Sequence, residues 1–312
     1  MIKVAGVYLL GGITFFSEIV LPELPLLQHQ GATPHPVRIR LGEVSNHLPG
    51  AVELDPDCFA TPAQYLLRIH GVARYLVTNG QEIVVSPEAG ACPLDLRAWL
   101  LGTIFVVLCQ QRGLLPLHAS AVSSEPVNGR QGVIAFLARS GQGKSSLAAH
   151  LAQRGWRVLA DDVCLIDPAP APADELMVIP SAPWLKLWRN SLQRLGRQAE
   201  GLERVFSEED KYRLPLETAG RREPIRKLVF LEGNEESSSL RMEEVPPVKA
   251  LPWLMNLTHQ AYVLEATGQR QESFLRCGRV LSQAKAYRLI RPWGLDYLES
   301  TVDAVEKWLL DA

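Results

Sequence analysis

The residues best suited to bind a ligand or to catalyse a reaction lie between positions 132 and 167. An apolar run at 132–137 is followed by a glycine-bearing loop that ends in Lys144 and Ser145. Leucines and alanines then recur at helical spacing, so a helix is expected to begin where the loop ends. Gly141 and Gly143 let several backbone N–H groups point into one concavity, and the helix N-terminus adds partial positive charge. This segment therefore predicts a phosphate-binding strand, loop and helix.

Two side chains at the end of the loop suit a nucleotide and its metal ion. Lys144 would reach the outer phosphates, and the Ser145 hydroxyl is placed to ligate Mg²⁺. Ala138 stands where the common string G-x-x-x-x-G-K-[ST] has its first glycine. Alanine would cost on the order of 1 kcal/mol if that position had a positive φ, and nothing if it lay in the β region. The residues expected to bind MgATP are Ala138, Arg139, Ser140, Gly141, Gln142, Gly143, Lys144, Ser145 and Ser146.

Paired aspartates follow the next apolar strand, which is predicted at 156–160 and begins after Gly155. Asp161 and Asp162 then lie at the C-terminal end of a strand, the usual ligand edge of an α/β sheet. Because successive strand side chains point to opposite sides, the two carboxylates cannot do the same job. One is expected to hold Mg²⁺ or its water, and the other to accept a proton from an attacking hydroxyl. The alternative is a solvated turn that merely caps the strand.

Three further residues have two interpretations each. His118 lies in the apolar run LLPLHASAV, where a lone histidine is more often a hydrogen-bonded core residue than a catalyst. Lys211 and Arg213 lie in the segment EEDKYRLP. These two cations would either belong to a solvated face or neutralise a transferring phosphoryl group.

The part of the chain from His118 to Asp162 resembles the catalytic domain of HPr kinase/phosphorylase. In that domain a phosphate loop is followed by an aspartate pair and preceded by a histidine on a strand. That fold is related to phosphoenolpyruvate carboxykinase, so the resemblance implies an α/β fold with a P-loop kinase core. It also implies that Asp162 is the general base toward a serine hydroxyl, with His118 assisting in the phosphate site. Lys144 would hold the β- and γ-phosphates and Ser145 the metal. Related kinases carry a segment comparable to that of Lys211.

The chain is also similar to HPr-kinase-like proteins found beside lasso-peptide biosynthesis enzymes, some of which phosphorylate a serine of the precursor peptide. The similar segments are GGITFFSEIVLPELP, VARYLVTNGQEIVVSP, RGLLPLHASAV and PWLKLW. The resemblance implies a serine-containing peptide or small protein as acceptor, including the C-terminal serine of a lasso-peptide precursor. The chain lacks the Glu-x-Arg-Gly signature of the HPr enzyme, and residues 183–189 contain no carboxylate. The later phosphorylase-linked segment also has no obvious copy, which makes reversal and HPr itself less expected.

Three functional hypotheses follow. The leading one is an ATP-dependent serine kinase, in which Asp162 deprotonates or orients the acceptor hydroxyl while Asp161 and Ser145 position Mg²⁺. The second is a small-molecule kinase that phosphorylates free serine or another alcohol. The third is a nucleotide-binding regulator without phosphotransfer, which would need no base.

Composition limits the class of protein. The chain has 312 residues, is 47% hydrophobic, and balances 32 Lys+Arg against 34 Asp+Glu. Near-neutral charge gives no general attraction for nucleic acid or an anionic membrane, so neither is an expected partner. The five scattered cysteines indicate neither a disulfide framework nor a zinc site, and they fit a reducing cytoplasm. The oligomeric state is left open, a homo-oligomer included.

The chain is predicted to contain two domains. The pair Asn79-Gly80 between apolar runs predicts a hairpin, and the apolar stretch at 99–108 predicts a core helix rather than a membrane span. The apolar residues at 4–16 are too few for a span and predict a strand and turn. We therefore expect a β-rich N-terminal module at 1–113, ending in that helix, and an HPr-kinase-like phosphotransferase domain at 114–312.

Overall fold

The structure is a computed structural model that describes residues 4–27, 33–123, 132–167, 174–181, 183–216, 221–234 and 240–311. It is a mixed α/β protein with large β-sheets. The chain divides into two compact units, the first formed by 1–116, 205–209 and 260–273, and the second by 117–204, 210–259 and 274–312. The predicted division into 1–113 and 114–312 stays a prediction, and these units differ from it by placing 114–116, 205–209 and 260–273 in the first.

The first unit is built on one eight-stranded sheet with the order β1-β2-β3-β8-β7-β6-β5-β4. The pairs β2/β3 and β3/β8 are parallel, and the other pairs are antiparallel. The strands are β1 (Gly6–Leu10), β2 (Ile13–Ser17), β3 (Val37–Leu41), β4 (Val52–Asp55), β5 (Cys58–Ala60), β6 (Gln64–Ile69), β7 (Ala73–Thr78) and β8 (Glu82–Pro87). The predicted hairpin is confirmed, because Asn79 and Gly80 join β7 to β8 with φ values of 51° and 63°.

The helical part of the first unit includes the predicted apolar helix. Helices α1 (Pro93–Trp99) and α2 (Phe105–Gln111) are joined by a π-helical turn, Leu100–Ile104. By length and composition this run could cross a membrane, and 56% of its most apolar window is buried within the structure. Residues from Phe105 to Gln110 are all buried, as in a core helix.

The second unit is built on another large sheet, with the order β10-β9-β12-β13-β16-β18-β17 and β11 paired to β9. Its strands are β9 (Leu115–Ser123), β10 (Val133–Leu137), β11 (Arg157–Ala160), β12 (Val163–Asp167), β13 (Met177–Ile179), β16 (Glu223–Asn234), β17 (Arg241–Val245) and β18 (Lys285–Pro292). A separate two-stranded sheet pairs β14 (Trp184–Trp188) with β15 (Lys211–Pro215). The helices of this unit are α3 (Lys144–Gln153), α4 (Arg189–Arg194), α5 (Pro247–Asn256) and α8 (Leu298–Asp311). Helix α6 (Ala261–Ala266) belongs to the first unit, and α7 (Arg270–Gln283) begins in the first unit and ends in the second.

Three parallel strands place the candidate site at one edge of this sheet. Strand β10 runs parallel to β16, and β16 runs parallel to β18, so their carboxyl ends meet at the same edge. All five residues of β10 are buried, which is typical of a strand covered on both faces. Helix α3 follows β10 and contributes Leu147, Ala148 and Leu151 to the core. The predicted strand, loop and helix are confirmed as elements.

Candidate functional site

The loop at 138–143, here called the glycine loop, connects β10 to α3. Gly141 and Gly143 have φ values of 81° and 78°, which other residues rarely adopt. A Cβ atom at Gly143 would also lie 2.8 Å from Nη2 of Arg291. Ala138 does not lie among the described residues with positive φ. Alanine is therefore unstrained where the common string has a glycine.

Lys144 is the first residue of α3, and its side chain turns back toward the carbonyl groups of the glycine loop. Its Nζ donates to the carbonyl oxygens of Ala138 at 2.8 Å and Arg139 at 3.1 Å. The residue is only 5% exposed. Burial lowers the pKa of Lys144 to about 8, although Asp162 and Asp161 favour its charged form. A buried ammonium at the start of a helix is a strong attractor for an anion.

Asp162 lies in the bend that follows β11, and its backbone has a φ of 68°. Its Oδ2 accepts a hydrogen bond from Nζ of Lys186 at 2.8 Å, while Oδ1 lies 3.4 Å from Nε2 of His118 and 3.7 Å from Nε2 of His259. The two imidazole rings are 4.7 Å apart between centroids. Strained non-glycine backbone of this kind is often found at functional sites.

The protonation of this cluster follows from its neighbours. Burial raises the pKa of Asp162, but the Lys186 ammonium and the neighbouring imidazoles of His118 and His259 outweigh that effect, so the pKa is held well below its ordinary value. Burial lowers the pKa of His118, and the hydrogen bond to Asp162 opposes this effect only in part. At neutral pH the cluster therefore contains an ionised carboxylate beside a neutral imidazole.

Asp161 and Asp162 lie in the bend between β11 and β12 rather than on a strand, and Asp161 is the more deeply buried of the two. It is 2% exposed, and both of its oxygens accept hydrogen bonds, Oδ1 from Oγ of Ser120 at 2.6 Å and Oδ2 from the backbone N–H of Lys186 at 2.7 Å. Asp161 does not line the cavity described next. The bond to the backbone of Lys186 connects Asp161 to β14.

A cavity of about 300 Å³, here called the first cavity, joins the glycine loop to Asp162. Four cationic side chains line it: Lys144, Lys186, Lys211 and Arg291. Among the described residues that line it, Asp162 is the one carboxylate. The surplus of positive charge suits a polyanion such as a phosphate chain. The predicted site residues gathered here are His118, Ser140, Gly141, Gly143, Lys144, Ser145, Ser146, Asp162 and Lys211.

The other loop residues face a second cavity of about 340 Å³. Ala138, Arg139 and Gln142 line it together with mainly apolar side chains, among them Phe230 and Trp253. The rings of Phe230 and Trp253 meet edge to face, with centroids 5.4 Å apart. The glycine loop thus forms part of the wall of both cavities.

Arg213 is not brought to the first cavity, unlike Lys211. Its guanidinium donates to Oε2 of Glu203 at 3.1 Å and to the carbonyl of Arg204 at 2.9 Å, and it lies near the ring of Trp184. Its side chain is engaged away from the cavity, so this position does not suit contact with a transferring phosphoryl group. Lys211 instead has its Nζ 5.6 Å from the centroid of Trp188, at the cavity wall.

Three cavity or cluster residues were missed by sequence reasoning: Lys186, His259 and Arg291. Arg291 is 5% exposed and donates to the carbonyl of Gln142 at 2.7 Å. In the described part of the chain no carboxylate forms an ion pair with it, and burial lowers its pKa. The available signal was weak, because β18 also contains Lys285 and Arg288, and the sequence does not show which of its cations is buried. The sequence marks Lys186 only as part of the segment PWLKLW.

Comparisons with known proteins add little to this geometry. No protein-family model matches the chain. No curated protein matches it either. Among solved structures, the chain is similar to the Hpr(Ser) kinase/phosphatase from Coxiella burnetii, over 63% of this chain and 91% of that one, with 11% sequence identity and a TM-score of 0.32. Likeness at this level supports no conclusion about activity.

Proposed function

We propose that this protein is an ATP-dependent phosphotransferase that phosphorylates a serine hydroxyl of a peptide or small protein. The observation that carries this proposal is the first cavity, in which the buried ammonium of Lys144 and the ionised carboxylate of Asp162 share one lining. The first group suits the phosphates of the donor. The second suits the hydroxyl of the acceptor.

The donor phosphates would occupy the glycine-loop side of the first cavity. There the N–H groups at the start of α3 and the side chain of Lys144 would meet them. Arg291 would supply a second buried cation, and its bond to Gln142 would hold the loop in shape. Phosphoryl transfer depends mainly on positioning and on charge stabilisation, so such groups would supply most of the rate enhancement.

Mg²⁺ fits the same cavity because oxygen donors are present. The Ser145 hydroxyl lines it and Mg²⁺ prefers oxygen ligands, so Ser145 and the donor phosphates would hold the ion while Asp162 serves as the base. The oxygens of Asp161 already accept two hydrogen bonds, so Asp161 would act by fixing β14 rather than by contacting the ion. When bound, the metal would neutralise charge on the β- and γ-phosphates.

Asp162 would accept the proton of the acceptor hydroxyl. In the transfer step the serine oxygen attacks the γ-phosphorus, the bond to the β,γ-bridging oxygen breaks, and the electron pair leaves with ADP. The serine proton passes to Asp162, which is ionised at neutral pH. Neutral His118, 3.4 Å from Oδ1, would orient this carboxylate.

The acceptor proposed first is a peptide that ends in serine, such as a lasso-peptide precursor. Its support is the sequence resemblance of the outer segments, which include PWLKLW with its cavity residue Lys186. A small alcohol remains the alternative acceptor for the same cavity. A nucleotide-binding regulator would make no use of Asp162.

Intact-mass analysis separates these acceptors. The protein with MgATP would be incubated with a serine-terminated peptide, with the matched peptide in which alanine replaces that serine, and with free serine. The proposal predicts a gain of one or more phosphates on the first peptide and none on the second. Phosphorylation of free serine alone would move the function to a small-molecule kinase. No transfer to any of them, with ATP still bound, would favour the regulator.

A further inference from the structure

The first cavity has an aromatic wall that the proposed transfer chemistry does not use. Trp188 and Trp293 line it, and they are 46% and 38% exposed. Among the described residues, the exposed tryptophans are these two and Trp253. An exposed indole on a cavity wall is a typical contact for a planar ligand.

Each indole lies beside a cationic side chain that lines the same cavity. Trp188 is the last residue of β14, and Nζ of Lys211 lies 5.6 Å from its ring centroid. Trp293 directly follows β18, and the guanidinium carbon of Arg291 lies 5.9 Å from its ring centroid. Cations at these distances are attracted to the ring, which favours the observed position of each indole.

Trp293 also packs directly against the backbone of Gly233 in β16. A Cβ atom at Gly233 would lie 2.1 Å from Cε3 of Trp293, so only glycine permits this approach of the indole to β16. Leu187 and Leu298 extend the apolar part of the cavity. One cavity thus combines a cationic part, which suits phosphates, with an apolar and aromatic part, which suits a base.

We propose that Trp188 and Trp293 bind the base of the donor nucleotide by stacking. The inference rests on the proposed function and deepens it, because it makes the donor a nucleoside triphosphate rather than a bare polyphosphate. Stacking on an aromatic side chain tolerates different bases, since every base has a π face. Specificity among bases would then be modest, and the preference for a base over none would be large.

Binding measurements with two ligands test this proposal. The affinities of MgATP and of magnesium tripolyphosphate would be compared for the wild-type protein and for Trp188→Leu, Trp293→Leu and Trp293→Phe. Trp253→Leu is the matched control, because Trp253 is an exposed tryptophan that lines the second cavity. Thermal unfolding would verify that each variant is folded. If Trp293→Leu does not fold, Trp188→Leu alone tests the proposal.

The wild-type protein should bind MgATP more tightly than tripolyphosphate. Trp188→Leu and Trp293→Leu should each weaken MgATP binding by about tenfold or more and leave tripolyphosphate binding unchanged. Trp293→Phe should restore most of the loss, and Trp253→Leu should change neither affinity.

Three results would overturn the proposal. Equal affinity of the wild-type protein for both ligands would show that no base is recognised, while the phosphate site proposed above would survive. A selective loss of MgATP binding in Trp253→Leu alone would move the base to the second cavity. A wild-type protein that binds neither ligand would instead remove the nucleotide site itself, and the proposed function with it.

Discussion

The side chains of Lys144 and His118 are in direct contact, with Nζ 3.1 Å from Nε2. The same Nε2 lies 3.4 Å from Oδ1 of Asp162. One nitrogen cannot accept from an ammonium and donate to a carboxylate at the same time, so its proton state selects between these neighbours. His118 therefore links the lysine proposed to hold phosphates to the proposed base.

The lowered pKa of Lys144 predicts a pH dependence of nucleotide binding. Lys144 is charged below a pKa of about 8 and loses its proton as the pH rises through that value. At pH 9 about one tenth of the unliganded protein would still carry the charge, so the apparent ATP affinity should fall by up to about tenfold between pH 7 and pH 9. Equilibrium binding across this range measures the effect.

The control for this dependence is Lys144→Arg, which stays charged throughout and should give a flat profile whatever its absolute affinity. A wild-type affinity that is constant from pH 7 to pH 9 would contradict the assigned role of Lys144.

Lys186 should set the acid limb of the activity profile through Asp162. Its ammonium, 2.8 Å from Oδ2, helps to hold the pKa of Asp162 well below the ordinary value. Removing the charge by Lys186→Met should raise that pKa, so the pH below which phosphotransfer fails should move upward. Lys186→Arg should keep the limb near its wild-type position. An acid limb that is identical in Lys186→Met and wild type would argue against Asp162 as the titrating base.

Arg291 should reduce stability while it supports function. A buried cation without a carboxylate partner among the described residues carries a desolvation cost, so Arg291→Met should not lower the free energy of unfolding. The same variant should weaken binding of both ATP and tripolyphosphate by about tenfold or more. Denaturant titration and calorimetry measure the two effects.

Arg288→Met is the matched control for this prediction. Arg288 lies on the same strand, and its guanidinium pairs with Glu232 at 2.7 Å. This variant should leave both affinities near their wild-type values. Destabilisation by Arg291→Met without loss of affinity would assign Arg291 a purely structural role.

Two loop glycines with similar φ should respond differently to alanine. At Gly141 a Cβ atom meets nothing within 4 Å, so Gly141→Ala should cost only the backbone strain, about 1 kcal/mol of unfolding free energy. At Gly143 the Cβ atom would also displace the guanidinium of Arg291. Gly143→Ala should therefore weaken phosphate binding as Arg291→Met does.

A double variant tests whether Gly143 and Arg291 act through the same contact. If both changes act on one contact, Gly143→Ala combined with Arg291→Met should bind phosphate little worse than Arg291→Met alone. Fully additive losses in binding free energy would show that Gly143 acts independently of Arg291.

The local elements of the site could be predicted from sequence because short-range patterns specify them. The strand before the loop, the helix that begins at Lys144 and the hairpin at Asn79-Gly80 all appear in the structure. Alternation along a strand predicted different tasks for Asp161 and Asp162, but in the structure both residues lie in the bend after β11. The sequence did not indicate that Asp162 lines the cavity, because this residue has a positive φ and its neighbours come from distant segments.

Long-range pairing explains what sequence reasoning missed. Arg291 reaches the glycine loop because β18 pairs in parallel with β16, which pairs with β10. Lys186 reaches Asp162 from the separate sheet formed by β14 and β15. Lys211 and Arg213 share a strand face, but the side chain of Arg213 turns to Glu203, and no local pattern distinguished the two.

In the proposed reaction, Asp162 accepts the proton of a hydroxyl to which phosphate is transferred from ATP. The most direct test compares wild type, Asp162→Asn and the control Asp167→Asn, whose carboxylate pairs with Arg222 outside the cavity. ATP binding and single-turnover transfer to the serine-terminated peptide would be measured on the same samples. We expect Asp162→Asn to bind ATP at least as well as wild type and to transfer phosphate at least about a hundredfold more slowly, with Asp167→Asn unaffected. Transfer at the wild-type rate by Asp162→Asn would show that Asp162 is not the proton acceptor.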